Sequence, residues 1–156
     1  MSLDTYYLDT SALIKRYVAE TGSVWVSALA ETTPPNLLLT ARLTMVEARS
    51  ALARRRREAS ISDDDHAFSI GKLASHGLAQ YHFVELEGAI VNLAGDLLDR
   101  HPLRAYDAVQ LASALVINAA LVAADLAGLT FLSADDRLLN VAQAEGLRCD
   151  NPNLHP

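Results

Sequence analysis

The chain has 156 residues, 51% of them apolar, which is ample for one domain with its own core. Its formal net charge is −6, which taken alone counts against a protein that coats itself in nucleic acid but leaves room for acids that hold cations. The single cysteine, Cys149, excludes a disulfide framework and a Cys-rich zinc site, and the longest apolar stretch, Leu111 to Ala124, is expected to be too short and too polar to span a bilayer.

The start of the chain lacks a basic segment followed by an apolar run, so no secretory leader is expected, and a reduced cytoplasmic setting fits. Thr5 to Leu8 reads as a short strand ending at Asp9. Ser11 to Ala19 reads as a helix with Leu13, Ile14 and Tyr17 at helical spacing, and Ser23 to Ala30 as a second. After Pro34-Pro35, Leu37 to Leu39 reads as a buried strand and Thr44 to Arg57 as a helix. Ser62 should cap a further helix, with Asp63, Asp64 and Asp65 in its first turn and Gly77 past its end. A strand over His82 to Leu86 and a helix over 88–100 follow, the latter stopped by Pro102. Arg104 to about Ala119 is helical, Thr130 to Leu132 is β-prone, and a last helix runs from about Asp135 to Glu145. Short buried strands separated by helices predict an α/β sandwich of three layers around a mainly parallel sheet, residues 1–156 forming a single domain.

Ligands gather beyond the carboxyl ends of the strands in such sheets. Acids recur there: Asp9 after the first strand, Glu47 at the opening of the helix after the second, Asp107 in the first turn of the Arg104 helix, and Asp135 and Asp136 after the Thr130 strand. Singly, most of them read as helix caps. Thr44 with Glu47 fits a capping box, Ser133 with Asp136 fits another, and Asp107 suits a helix dipole. Asp9 is the hardest to assign to a cap. Jointly, four converging carboxylates require a counterion, because two unit charges 4 Å apart repel by about 4 kcal/mol at an effective dielectric of 20. Oxygen donors without nearby His or Cys select Mg²⁺ or Mn²⁺ over zinc. Such a site suits phosphodiester hydrolysis, since the ion activates water and neutralises phosphate charge.

Four motifs in order, Tyr7-Leu-Asp-Thr-Ser-Ala-Leu-Ile-Lys, Glu47, Leu103-Arg-Ala-Tyr-Asp107-Ala-Val-Gln-Leu-Ala-Ser-Ala and Phe131-Leu-Ser-Ala-Asp135-Asp-Arg-Leu-Leu, resemble the PIN domain. Within it they are similar to the VapC-type toxin ribonucleases of toxin–antitoxin pairs. The resemblance implies a PIN-like fold and a metal-dependent endoribonuclease with Asp9, Glu47, Asp107 and Asp135 as catalytic and metal-holding acids. Ser11 stands at the hydroxyl position that supports the first Asp, and Ser133 two residues before the last. The resemblance also implies an RNA substrate, a small antitoxin partner and a homodimer. Asp136 departs from the family pattern, and the stretch from Ala119 to Gly128 is longer than usual for it.

Among basic residues, Arg104, Lys15 and Arg16 are expected to steer phosphate towards the acids. Arg54 and Arg55, in the run Arg54 to Arg57, are candidates for an RNA backbone clamp, although a solvated helix end explains the run as well. Asp63-Asp64-Asp65-His66 is better explained by a capped helix than by a metal cluster. Ile14, Tyr17, Trp25 and Leu29 pack as core or line a partner groove. Two rivals stand beside the nuclease: a non-catalytic module of the same fold, and a haloacid-dehalogenase-type phosphatase. The phosphatase needs a second Asp where Ser11 stands. A dinucleotide-binding domain is excluded, because no G-x-G-x-x-G follows the first strand. Finally, Ser133 as N-cap would put Asp136 at N3, closing a box, and leave Asp135 projecting towards Asp9.

Overall fold

A computed structural model describes residues 3–156. Five parallel strands form one sheet in the order β3-β2-β1-β4-β5. They are β1 (Thr5–Leu8), β2 (Leu37–Ala41), β3 (Tyr81–Val84), β4 (Thr130–Leu132) and β5 (Arg148–Asp150). The helices are α1 (Thr10–Leu13), α2 (Ser23–Ala30), α3 (Thr44–Arg57), α4 (Asp63–Ala79), α5 (Gly88–Arg100), α6 (Ala105–Ala123) and α7 (Asp136–Ala144). The chain builds outward from β1 to β3, then crosses back to lay β4 on the other side of β1. The strand order therefore reverses between β1 and β4, and a crevice opens beyond their carboxyl ends.

Period-two alternation divides the core between the two faces of the sheet. Tyr7, Leu39 and Phe131 pack with α5, α6 and α7, while Leu8, Leu38 and Leu132 pack with α1 to α4. The Tyr7 and Phe131 rings stack across neighbouring strands with centroids 5.6 Å apart. The expected α/β sandwich with a parallel central sheet is what the chain forms.

Several local expectations differ. The helix expected over Ser11 to Ala19 stops at Leu13 and tightens into a 3-10 turn, Ile14–Arg16. α4 runs through Gly77 to Ala79. Gly77 is an interior position where an added Cβ would come within 3.1 Å of Met45 Cε. β3 starts one residue earlier than expected, at Tyr81, and ends two earlier, at Val84. Ser62 does cap α4, in a reciprocal box with Asp65, so the Asp63 to Asp65 run belongs to that helix opening.

α6 extends a full turn beyond Ala119, because its sequence stays rich in Ala and Leu, and ends where Asp125 turns left-handed at φ 58°. By length and composition α6 is long and apolar enough to cross a membrane, contrary to the expectation for its apolar stretch. In the fold, its Ala108, Leu111, Ala112 and Ala114 are fully buried beneath the sheet. β5, which the sequence did not announce, is a polar edge strand paired with β4, and a 3-10 turn, Pro152–Leu154, follows it.

Candidate active site

Asp9 follows β1 directly and opens α1. Its Oδ1 accepts from the Ala12 amide at 2.9 Å and from Ser11 Oγ at 2.7 Å, and its Oδ2 accepts from Ser133 Oγ at 2.6 Å. The acid that seemed least like a cap is thus an N-cap. Both serines are held in turn: Ser11 Oγ accepts from the Ala134 amide and Ser133 Oγ from the Asp135 amide. This lattice joins the ends of β1 and β4 at the reversal point. Asp9 is 4% exposed. Burial pushes its carboxyl up to about 6, against the pull of its three hydrogen-bond donors, and the Asp107 charge adds to the rise.

Glu47 and Asp107 come from facing helices. The capping box expected at Thr44 does not form, since Leu43 is the N-cap residue and no side chain caps α3. Instead the Thr44 hydroxyl lies 2.7 Å from Thr40 Oγ1, which donates to the Leu8 carbonyl, and it accepts from Gln110 Nε2. The same amide donates to Glu47 Oε1 at 3.1 Å, while Gln110 Oε1 accepts from the Tyr7 hydroxyl at 2.7 Å. Gln110 is therefore the buried strut between the sheet, α3 and α6. Nothing local in the sequence gives Gln110 this role. Its one signal is a polar residue on an apolar helix, three positions after Asp107 and so on the same face. Asp107 itself is half-buried. Burial raises its carboxyl above the usual range, the neighbouring Asp135 raises it further, and Arg104 pulls the other way.

The expected cap of α7 is also revised. Asp135, not Ser133, is the N-cap residue and accepts from the Arg137 amide. Asp136 is the first helical residue, closes no box, and accepts from Asn151 Nδ2 at 2.8 Å. Ser133 is turned away from that role because its hydroxyl serves Asp9.

Asp9, Glu47, Asp107 and Asp135 all line one cleft of about 420 Å³, together with Ser11, Gln110, Arg54, Arg55 and Arg104. Asp136 does not line it. The four acids share a cleft rather than a cage: among the described residues, no three Asp, Glu, His or Cys side chains stand close enough to grip one ion as they are placed. No histidine or cysteine lines the cleft, so its donor set is oxygen only.

Two basic candidates are elsewhere. Lys15 is buried and donates to Glu20 Oε1, the Thr21 carbonyl and Asn153 Oδ1 at 2.7–3.1 Å. Arg16 is buried and donates to the Tyr81 hydroxyl and Gln80 Oε1. Neither lines the cleft, so neither steers phosphate; the tight 3-10 turn carries both inward. With Ser11 in place of a second Asp, the phosphatase arrangement is not formed either. Arg55 lines the cleft wall paired with Glu20, and Arg56 leans to Asp63. Ile14, Tyr17 and Leu29 are core, and Trp25 stacks on His155 with centroids 4.0 Å apart.

Residues 6–143 match the family described as PIN domain. Ribonuclease VapC49 of Mycobacterium tuberculosis is 34% identical over 150 residues, covering 96% of this chain and 97% of that protein. Among solved structures, VapBC2 of Rickettsia felis bound to a promoter DNA fragment aligns with a TM-score of 0.62 at 11% identity, covering 94% of this chain and 98% of that one. Mycobacterium tuberculosis VapC20, a toxin that cleaves the sarcin-ricin loop, aligns at 0.60 and 14% identity, covering 91% and 95%.

Proposed function

This chain belongs to the PIN domain family, and from that membership we infer that it is an endoribonuclease, the toxin of a toxin–antitoxin pair. The observation that carries the reading is the buried Asp9, clamped by Ser11 and Ser133 at the base of a cleft it shares with Glu47, Asp107 and Asp135. Three donors already occupy Asp9, and an ionised carboxylate has about four acceptor sites. One, on Oδ2, is left free on a side chain that lines the cleft.

The donor set fits a hard divalent cation, Mg²⁺ or Mn²⁺, held by Asp9, Glu47, Asp107 and Asp135. Such an ion, when bound, activates water and offsets charge on a phosphodiester. The chain's own residues do the rest. Ser11 and Ser133 fix the Asp9 carboxylate. Gln110 holds Glu47 facing the cleft. Arg104 and Arg54 line its walls with positive charge, suited to guiding an RNA phosphate inward. A small antitoxin, a homodimeric state and a cytoplasmic setting complete the reading. The antitoxin partner is supported by the toxin–antitoxin complexes among the neighbours in fold, and the other two follow from the family reading alone.

The direct test is thermal. Relative to EDTA, millimolar Mg²⁺ or Mn²⁺ should raise the melting temperature by roughly 5–10 °C if the ion stands near 100 times its dissociation constant. Asp107→Asn should shrink that rise. Coincident melting curves with and without the ion would remove the metal from this reading.

The neighbouring acids of α7 separate cleanly. Asp135→Asn should lose most RNA cleavage yet keep its stability, since Asn caps helices as well as Asp. Asp136→Asn should keep cleavage and cost at most about 1 kcal/mol through the bond from Asn151. Cleavage rate and melting temperature of both variants, measured together, decide the assignment. Activity lost at Asp136 alone would move the fourth acid by one residue.

A further inference from the structure

A second groove, of about 450 Å³, adjoins the acidic cleft. The two share Thr10, Glu47, Ala51 and Arg54, so the groove is a lateral extension of the site. Its apolar lining comes from Leu43, Val46 and Ala51 and its basic lining from Arg54 and Arg57, which outnumber the one acid, Glu47, at the side shared with the cleft; Tyr106 stands on its wall. Tyr106 is 57% exposed and Val46 66%, the opposite of what burial of apolar surface favours. Arg54 and Arg57 lie three positions apart on α3 and so on one face. Neither forms an ion pair among the described residues, whereas Arg55 and Arg56 between them do. In a chain of net charge −6, two unpaired guanidinium groups beside an exposed ring mark an anionic, aromatic occupant.

We propose that this groove seats one unpaired nucleotide of the RNA, its base stacked on Tyr106 and its phosphate held by Arg57 and Arg54, so that the adjoining phosphodiester lies over Asp9 and Asp107. The inference rests on the ribonuclease reading and adds to it a seat for one nucleotide beside the cleft and the residue that stacks on its base, Tyr106. Single-stranded segments are recognised in this way, with bases splayed onto aromatic rings and phosphates tracked by cations. Tyr106 directly precedes Asp107 in the first turn of α6. The stacked base would therefore be registered to a cleft acid through a single peptide unit.

The experiment uses the full chain and a fluorescein-labelled pool of randomised 12-nucleotide single-stranded RNA, with Mn²⁺ for cleavage. Tyr106→Leu should raise the apparent KM about tenfold with kcat nearly unchanged, the order expected for losing one stacked base. Tyr106→Trp should restore it. Arg57→Gln should weaken binding and flatten the dependence of log affinity on log salt by about 0.7, as for one lost phosphate contact on a single strand. Melting temperatures should stay level, since these side chains are exposed.

Tyr106→Leu with an unchanged KM, in a wild-type background that cleaves the pool, overturns the inference and leaves the ribonuclease reading standing. A loss confined to kcat, or a Trp variant that fails to rescue, also overturns it. So does a change of oligomeric mass on Tyr106→Leu, which would mean that a second copy covers the groove. Wild-type protein that neither binds nor cleaves RNA overturns both readings.

Discussion

Asp9→Asn is expected to lower RNA cleavage by roughly 100-fold or more while the metal-free variant melts no lower than the wild type. The loss follows from charge: Asn keeps the shape of the side chain but gives a divalent ion no anion, and each tenfold in rate is about 1.4 kcal/mol of barrier. The retained stability follows from burial. Asn Oδ1 can still accept from the Ala12 amide and Ser11, and the Ser133 hydroxyl can turn to accept from the new amide.

The carboxyl is raised from 3.8 to about 6 in the fold. The folded state therefore holds a proton that the unfolded state has released between these values. Its stabilising contribution is full below about pH 4 and is lost as pH rises through about 6. That loss is worth on the order of 3 kcal/mol at neutral pH. In EDTA, the melting temperature of the wild type relative to Asp9→Asn should therefore fall between pH 4 and pH 7. Added Mg²⁺ should reverse the fall in the wild type alone. A wild type and variant that track each other across this range would show that Asp9 is not a desolvated acid.

Lys15→Met is expected to be the most damaging single change to stability outside the apolar core. The Lys15 side chain is 5% exposed, and its ammonium is held by Glu20, the Thr21 carbonyl and Asn153. Removing it strands three acceptors. Breaking a buried pair from one side costs about 3–5 kcal/mol; Glu20 retains Arg55 and is partly solvated, so about 2–3 kcal/mol is the better figure. For a chain of this length that is a fall of roughly 5–10 °C. Cleavage measured well below the transition should be unaffected, because Lys15 does not line the cleft. A variant with normal melting and impaired cleavage would return Lys15 to the phosphate-steering role that its sequence position suggested.

Lys15 also shows where the sequence ceases to be readable. The strands β1, β2 and β4 announce themselves as short apolar runs, and the acids announce themselves by following them or, for Asp107, by opening a helix. The architecture and the convergence of those four acids on one cleft were legible for that reason, whereas Glu20, a fifth acid that lines it, was not. What fixes the orientation of a side chain is long-range. Lys15 meets Asn153 across 138 residues, and Arg16 meets Tyr81 across 65. A periodic helix over Ser11 to Ala19 would have left both on a solvated face. Ser133 reads locally as a cap until its bond to Asp9, 124 residues away, is known. Gln110 reads as a stray polar residue until Tyr7, Thr44 and Glu47 surround it. β5 carries the sequence Arg-Cys-Asp, with no alternation to reveal it, and exists because β4 offers an edge.

The clamp on Asp9 also imposes an order in time. Its first half, Ser11 and the Ala12 amide, is local to Asp9, but Ser133, directly after β4, is made 124 residues later. The central strand β1 likewise waits for β4 to cover its open side. A nascent chain thus emerges with its acids in sequence but not in place. The cleft therefore cannot be assembled by the first half of the fold alone: the clamp on Asp9 and the pairing of β1 with β4 close together, in one late step.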